Sequence, residues 1–161
     1  MIVAQWRRER PDLDVTPLGV LGRLFRAAHL ADARLATGIA AHHLQPGWFD
    51  LLAALRRSGA PYELNPTELT RATMVSSGGM TKRLDRLTDA GLVERRPDPS
   101  DRRGTLVRLT RKGKATVDEA VVTHLSNEER LLRPLSPSQL RRLDESLRAL
   151  LTGLEGATPT P

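Results

Sequence analysis

The sequence predicts a mostly α-helical fold with a small β-hairpin. Most of the 161 residues lie in segments whose apolar side chains recur every three or four positions, as on one face of a helix. Two short segments instead alternate apolar and polar side chains, as strands do, at residues 92–95 and 105–109. A loop rich in Pro and Arg joins these two strands. Val107 and Leu109 are expected to face the core.

Three helices are predicted before residue 60. Residues 1–10 form a short amphipathic helix. Thr16 is expected to be the N-cap of a long second helix, with Pro17 as its first helical residue. Residues 45–47 break that helix because they contain Pro and Gly, and a third helix then ends at Gly59.

Two short helices are predicted next. Residues 65–68 have the pattern of a capping box with Pro at the first helical position, and they open a helix that ends near Thr73. Ser76 is expected to cap the second short helix, which Gly91 ends. The buried face of this helix is predicted to consist of Met80, Leu84 and Leu87.

Two long helices are predicted at the C-terminal end. Thr110 is expected to cap the first, which ends near Leu132, and residues 136–139 form a capping box at the start of the second. Leucines then recur at three- and four-residue spacing and predict a partner surface: Leu140, Leu143, Leu147, Leu150 and Leu154. Part of this surface can be buried within the same chain. The tail at residues 156–161 is small and Pro-rich and is predicted to be disordered.

Positive charge is concentrated in one part of the chain. Residues 71–114 contain twelve Lys or Arg and five Asp or Glu, whereas the whole chain has a net charge of +6. A basic block of this kind is typical of a protein that binds a polyanion. The alternative is an ordinary charged surface that keeps the protein in solution.

Several functional classes lack support in the sequence. The chain has no Cys, which excludes disulfides, thiol catalysis and Cys-metal sites. Its four His residues are scattered, so we predict structural or surface roles for them and neither a metal site nor a cofactor. No catalytic constellation or phosphate-binding loop is visible. Without an apolar membrane span or a signal peptide, we expect a cytoplasmic protein with no membrane partner.

Residues 66–109 have the element order of a winged helix-turn-helix. In this arrangement the second helix enters the major groove of DNA, while the hairpin, or wing, reaches the flanking backbone or minor groove. The second helix is expected to begin with small residues that allow close approach to phosphates. The predicted DNA contacts are Ser76, Ser77, Gly78, Thr81, Lys82, Arg86, Asp101, Arg102 and Arg103.

The two arginines of the hairpin loop favour this interpretation. An exposed guanidinium gains little from folding, but it is attracted strongly to a narrow minor groove. We therefore expect Arg102 and Arg103 to contact DNA and Asp101 to pair with Arg103 and fix its direction. An ordinary charged hairpin is the alternative.

The segment GLVERRPDPSDRRGTLVRLTRKG, residues 91–113, resembles the signature of the MarR family of bacterial transcription regulators. The resemblance implies a homodimer that binds double-stranded DNA and is released by a small aromatic anion. It also implies the following organisation: an N-terminal extension (1–15), a dimerisation helix (16–45), a DNA-binding domain (46–113), and C-terminal dimerisation helices (114–155).

A narrower resemblance concerns the urate-responsive branch of that family. Trp6, Asp50, Arg57 and Arg83 match the ligand residues of that branch, and the N-terminal extension is present. The resemblance implies that Trp6 stacks on a flat ring and that the two arginines hold its anionic edge. Other aromatic anions, or no small-molecule site, remain open. Local packing and salt bridges would then explain these four residues.

Two other functions compete with that of a ligand-responsive repressor. The basic block also suits an architectural or RNA-binding protein that tolerates many sequences and lacks small-molecule control. An enzyme acting on a small aromatic acid is disfavoured, because the sequence shows no nucleophile or acid–base pair of a usual kind.

Overall fold

The computed structural model describes residues 2–73, 79–99, 101 and 104–156. The predicted tail lies outside these residues from residue 157 onward. The described elements are, in chain order, α1 (Ile2–Glu9), α2 (Thr16–Ala40), α3 (Pro46–Arg57), β1 (Glu63–Leu64), α4 (Pro66–Ala72), α5 (Met80–Asp89), β2 (Val93–Pro97), β3 (Thr105–Leu109), α6 (Arg111–Leu132) and α7 (Pro137–Gly156). This confirms a mostly helical fold with a small sheet. None of the described helices combines the length and apolar character needed to cross a membrane.

Side-chain caps fix the starts of three helices, as predicted. The Asn65 side chain accepts a hydrogen bond from the Glu68 N–H, and the Glu68 carboxylate accepts one from the Asn65 N–H, both at 2.9 Å. Ser136 and Gln139 make the same reciprocal pair at the start of α7. Thr110 accepts from the Gly113 N–H at 2.9 Å and caps α6. Each cap satisfies N–H groups that have no partner within the helix.

The predicted cap of α2 was wrong by one residue. Val15 occupies the N-cap position, and Thr16 is the first helical residue. The Thr16 N–H donates to the Asp14 carboxylate at 2.9 Å. A carboxylate two residues upstream therefore satisfies a free N–H group at the start of α2, and the Thr16 hydroxyl is not needed as a cap.

The sheet has three antiparallel strands in the order β1-β3-β2. The hairpin of β2 and β3 pairs Val93 with Leu109 and Pro97 with Thr105, and Val107 and Leu109 are buried as predicted. The sequence did not predict β1. This strand has only two residues, too few for a period of two to be visible, and its pairing with β3 defines it.

The core lies between α3, α4, α5, the sheet and α6. Its fully buried large side chains are Leu51, Leu52, Leu55, Leu69, Leu87, Val93, Val107 and Val117. The third helix is central because it contributes three of these leucines at helical spacing. An ion pair between Arg56 and Asp118, at 2.7 Å, also joins α3 to α6.

The long helices at the two ends leave apolar side chains in solvent. No residue of α7 is buried within the described chain, and the leucines of its predicted seam lie along it. Exposed apolar residues on α2 and α7 include Leu18, Val20, Leu21, Phe25, Leu140, Leu143, Leu150 and Leu154. An apolar surface of this extent is typical of a face that another protein surface covers.

Candidate nucleic-acid interface and ligand cavity

Helix α5 begins later than the sequence predicted. Its N-cap is Gly79, which has φ of +90°, so the prediction of Ser76 as the cap was wrong. A residue in the left-handed conformation cannot belong to the helix, and glycine adopts this conformation at little cost. Met80, Leu84 and Leu87 form the buried face, as predicted.

The predicted DNA-contacting side chains of α5 lie in solvent. Thr81, Lys82 and Arg86 are exposed, on the side of the helix away from the buried leucines. They form a short polar and cationic face with no bulky apolar residue. Five other predicted contacts lie outside the described residues: Ser76, Ser77, Gly78, Arg102 and Arg103.

The wing is fastened to α5 by an ion pair. Arg95 on β2 lies 2.7 Å from the Asp85 carboxylate of α5, and Arg96 lies 3.7 Å from Glu63 of β1. At the loop, the Asp101 carbonyl accepts from the Gly104 N–H at 2.8 Å. The predicted pairing of the Asp101 side chain with Arg103 stays a prediction, because Arg103 is not described.

A cavity of about 1070 Å³ opens between α2, α3, the end of α4 and α6. Asp50 and Arg57, two of the four predicted ligand residues, line it. The lining consists of His29, Asp32, Ala33, Leu35, Ala36, Phe49, Asp50, Ala53, Arg57, Arg71, Ala72, Thr73 and His124. Trp6 is not part of this lining: it lies on α1, 46% exposed.

Arg57 connects the cavity wall to the end of α4. Its guanidinium donates a hydrogen bond to the Ala72 carbonyl, in the last turn of α4. Thr73, the C-cap residue of α4, also lines the cavity, and its hydroxyl donates to the Leu69 carbonyl at 2.8 Å. In the chain, residues 74–78 connect this end of α4 to α5.

Arg83 lies beside the cavity and not in its lining. A Cβ built on Gly47 would be 3.0 Å from the Arg83 Nε atom, so this side chain passes over the first turn of α3. Asp50 lies one turn further along α3, and the positive charge of Arg83 lowers the Asp50 pKa. Arg83 thus extends from α5 to the helix that carries Asp50.

Asp50 is half-buried, and burial raises its pKa above the ordinary value of an aspartic acid. The positive charges of His124, Arg57 and, more weakly, Arg83 oppose this increase in pKa. The negative charge of Asp32 raises the pKa further. The carboxylate of Asp50 therefore lies among neighbouring charges of both signs.

Replacing Asp50 by Asn is expected to change how stability depends on pH. Since the folded pKa lies above the unfolded one, the wild-type folded state binds more protons and loses stability as pH rises through that range. The free energy of unfolding of Asp50→Asn, relative to wild type, should therefore increase from about pH 4 to about pH 7. Urea denaturation at a series of pH values measures this difference.

Asp12→Asn is the matched control, because the effect of this substitution on stability is expected to depend on pH in the opposite direction. The exposed Asp12 carboxylate is bonded to Arg10, which lowers the Asp12 pKa. Its contribution to stability is present above the unfolded pKa and is lost in acid. A relative stability of Asp50→Asn that falls as pH rises would contradict the burial of the Asp50 carboxylate.

Sequence reasoning missed four ionisable residues of the cavity: His29, Asp32, Arg71 and His124. A weak signal was present for the first two, since His29 and Asp32 are three residues apart and so share a face of α2. The sequence gives no such signal for Arg71 and His124, because only the packing of α4 and α6 against α3 brings them to the cavity. Within the described residues, no group of three His, Asp or Glu side chains is arranged to hold a metal ion.

Comparisons with known proteins identify similar regulators. The model of the MarR family matches residues 42–104. The HTH-type transcriptional regulator PecS of Dickeya dadantii is 42% identical over 154 residues, which cover 96% of this chain and 90% of PecS. These residues include both the helix-turn-helix and the long helices around it.

Two solved structures share the fold at 27–28% identity. A mutant form of MarR of Escherichia coli, complexed with operator DNA, has a TM-score of 0.74 and 28% identity, covering 85% of this chain and 95% of that one. BpsR of Bordetella bronchiseptica, whose DNA binding is regulated by 6-hydroxynicotinic acid, has a TM-score of 0.72 and 27% identity. That match covers 82% of this chain and 98% of BpsR. The relatives are transcription regulators and not enzymes.

Proposed function

Because the chain belongs to the MarR family of transcription regulators, we propose that it is a homodimeric repressor whose DNA binding is controlled by a small aromatic anion. The observation that carries this proposal is the cavity between α2, α3, the end of α4 and α6. Its wall residue Arg57 is bonded to the end of α4, directly before the segment that leads to α5. A ligand bound there therefore acts on the DNA-binding face.

The proposed DNA interface consists of α5 and the wing. Thr81, Lys82 and Arg86 on the exposed face of α5 enter the major groove, and Arg102 and Arg103 of the wing reach the adjacent minor groove. The operator complex of the relative MarR supports this assignment. A dimer with one such helix per protomer reads a pseudo-palindrome with half-sites roughly 10 base pairs apart.

The proposed dimer interface is the apolar surface of the terminal helices. The leucines of α7 and the apolar residues at the start of α2 are exposed in the single chain, which is unfavourable unless a second copy covers them. Dimerisation also places two recognition helices at a fixed separation. The interface and the DNA-binding geometry are therefore parts of the same proposal.

The proposed ligand is a small aromatic anion, for which urate or a related oxidised purine is our first candidate. Arg57 supplies positive charge in the cavity, and Phe49, Leu35 and Ala53 supply apolar walls. Arg83 is proposed to respond to the ligand through Asp50. Trp6 stays a predicted ligand residue and requires a closer approach of α1 to the cavity.

Operator binding is tested by a gel shift with the DNA upstream of the gene and with random duplex as competitor. We expect the upstream fragment to be preferred and the affinity to fall steeply with salt, since phosphate contacts release counterions. Sedimentation should give the mass of a dimer. Equal affinity for random DNA would instead support the architectural function.

Ligand control is tested by adding urate, xanthine and hypoxanthine to the same gel shift. We expect release of DNA by at least one of them, accompanied by a change in Trp fluorescence. Comparing Trp6→Phe with Trp48→Phe identifies which indole reports binding. If none of the three affects the gel shift at millimolar concentration, the purine assignment fails and the DNA-binding proposal stands.

A further inference from the structure

Helix α6 connects the two parts of the molecule to which we assign DNA binding and dimerisation. It has 22 residues and is therefore about 33 Å long. Its first half packs into the core through Gly113, Val117 and Ala120, which are buried. Its second half carries Val122 and Leu125, which are exposed apolar side chains. The angle between α6 and the core therefore determines where the DNA-binding elements lie relative to a second copy of the chain.

A cluster at the end of α3 joins α6 to the core beside these apolar contacts. Both oxygens of the Asp118 carboxylate take part: Oδ1 accepts from Arg56 Nε at 2.7 Å, and Oδ2 accepts from Lys114 Nζ at 2.9 Å. The hydrogen bonds from Lys114 and from Arg56 hold the pKa of Asp118 below its ordinary value, so the carboxylate is ionised at neutral pH. Asp118 thus bonds its own helix and α3 at the same time.

The same two cations also contact an aromatic ring. The Arg56 guanidinium carbon lies 5.0 Å from the centroid of the Tyr62 ring, and the Lys114 Nζ atom lies 5.7 Å from it. Both distances are within the range of a cation–π attraction. Tyr62 immediately precedes β1, and its carbonyl accepts from the Leu109 N–H of β3 at 3.1 Å. The cluster therefore ties α6 to α3 and to the sheet.

The cluster matters more for geometry than for stability. The side chains of Arg56, Lys114 and Asp118 are each 38% exposed, and ion pairs at such positions contribute little to stability. A long helix, however, amplifies a small change of angle: a tilt of about 10° at the start of α6 moves its other end by roughly 6 Å. Successive base pairs of DNA are about 3.4 Å apart. Such a tilt therefore changes which spacing of half-sites two recognition helices can reach.

We propose that Asp118 is a positioning residue for operator recognition: by fixing α6 against α3, it sets the separation of the two recognition helices in the dimer. Apolar packing at Val117 and Ala120 holds one side of α6, and the directional bonds of Asp118 on the neighbouring side oppose rotation about that contact. This inference rests on the proposed dimeric DNA binding. It assigns a role to a residue outside the proposed DNA contacts and outside the cavity lining.

The test measures, by fluorescence anisotropy, the affinity of the full-length protein for two labelled duplexes. One is the operator footprinted in the DNA upstream of the gene, and the other is the same duplex with one half-site scrambled. The ratio of the two affinities reports the benefit of binding both half-sites. We expect Asp118→Asn to lower this ratio at least about 3-fold, as substitutions that disturb coupling between sites do. The variant should also discriminate less sharply than the wild type against operators whose half-sites are moved apart by one or two base pairs.

The sign of the effect separates position from charge. Removing the negative charge of Asp118 should strengthen the attraction to DNA phosphates, whereas removing the positive charge of Arg56 should weaken it. A positioning role instead predicts that Asp118→Asn and Arg56→Gln both lower the ratio, and that the double variant lowers it no further than Asp118→Asn alone. Asp12→Asn breaks an exposed Asp–Arg pair outside the cluster and should leave the ratio unchanged. Unchanged melting temperatures show that the variants fold.

Each outcome bears on a different statement. An unchanged ratio in Asp118→Asn, or changes of opposite sign in Asp118→Asn and Arg56→Gln, would overturn the inference and leave the proposed dimeric operator binding in place. A variant that sedimented as a single chain would overturn it too, because lost dimerisation and not a changed angle would then explain the ratio. If the wild type bound both duplexes equally, the proposed two-part operator would fail and the inference with it.

Discussion

Replacing Arg103 by Ala is expected to weaken operator binding by at least about 10-fold. The strands β2 and β3 form the hairpin of the wing, and the loop that joins them contains Arg103, between Asp101 and Gly104 in the sequence. Loss of a guanidinium from a narrow minor groove removes an attraction that no other group of the loop replaces except Arg102. Fluorescence anisotropy with labelled operator DNA at fixed salt measures the change.

Arg148→Ala is the matched control for charge. Arg148 is exposed on α7, where it pairs with Asp144 at 2.8 Å, far along the chain from the DNA-binding segment. The substitution removes the same positive charge from each protomer, and we expect operator affinity to stay within a factor of about two. Unchanged affinity in Arg103→Ala would remove the wing from the proposed interface.

Gly113→Ala is expected to lower the free energy of unfolding by at least about 3 kcal/mol. A Cβ at this position would lie 1.9 Å from the Leu92 carbonyl oxygen and 2.8 Å from its carbonyl carbon. Both atoms are backbone, so they cannot move without displacing the start of β2. The same carbonyl accepts a hydrogen bond from the Thr110 N–H at 3.1 Å. The clash therefore also disrupts the connection between the wing and α6.

Gly153→Ala is the control, since a Cβ there meets no atom of the described residues of the chain within 4 Å. Alanine is the better helix former, and this variant should gain up to about 1 kcal/mol. Urea denaturation at constant protein concentration compares the two variants. A Gly113→Ala protein within about 1 kcal/mol of wild type would show that the close approach of α6 to Leu92 is not rigid.

The elements that were predicted correctly depend on interactions between residues that are close together in the sequence. The capping box at Asn65 and the cap at Thr110 involve residues within three positions of each other, and their hydrogen bonds form as expected. The buried face of α5 follows from the helical spacing of its apolar residues alone. The start of α5 was placed too early, because Gly79 has a left-handed conformation that the helix cannot include and that a serine upstream does not predict.

The parts that the sequence could not predict depend on contacts between distant segments. The strand β1 is defined by β3, more than forty positions away along the chain. Asp50 and Arg57 were identified and do share a cavity, yet Asp32 and His124 came to the same cavity only through packing of α2 and α6. Periodicity assigns a residue to a face of its own helix and gives no information about which other helices that face meets.

The ion pair between Arg95 and Asp85 bears on how the proposed regulator would be released from DNA. It joins α5 to β2, which also follow each other closely in the chain through Gly91, so we expect the two elements to move as one unit. In the dimer that we propose, a ligand bound near Arg57 would change the distance between these units of the two protomers and leave each unit intact. On that proposal, the ligand-bound dimer is expected to keep its affinity for an isolated half-operator and to lose affinity for the full operator.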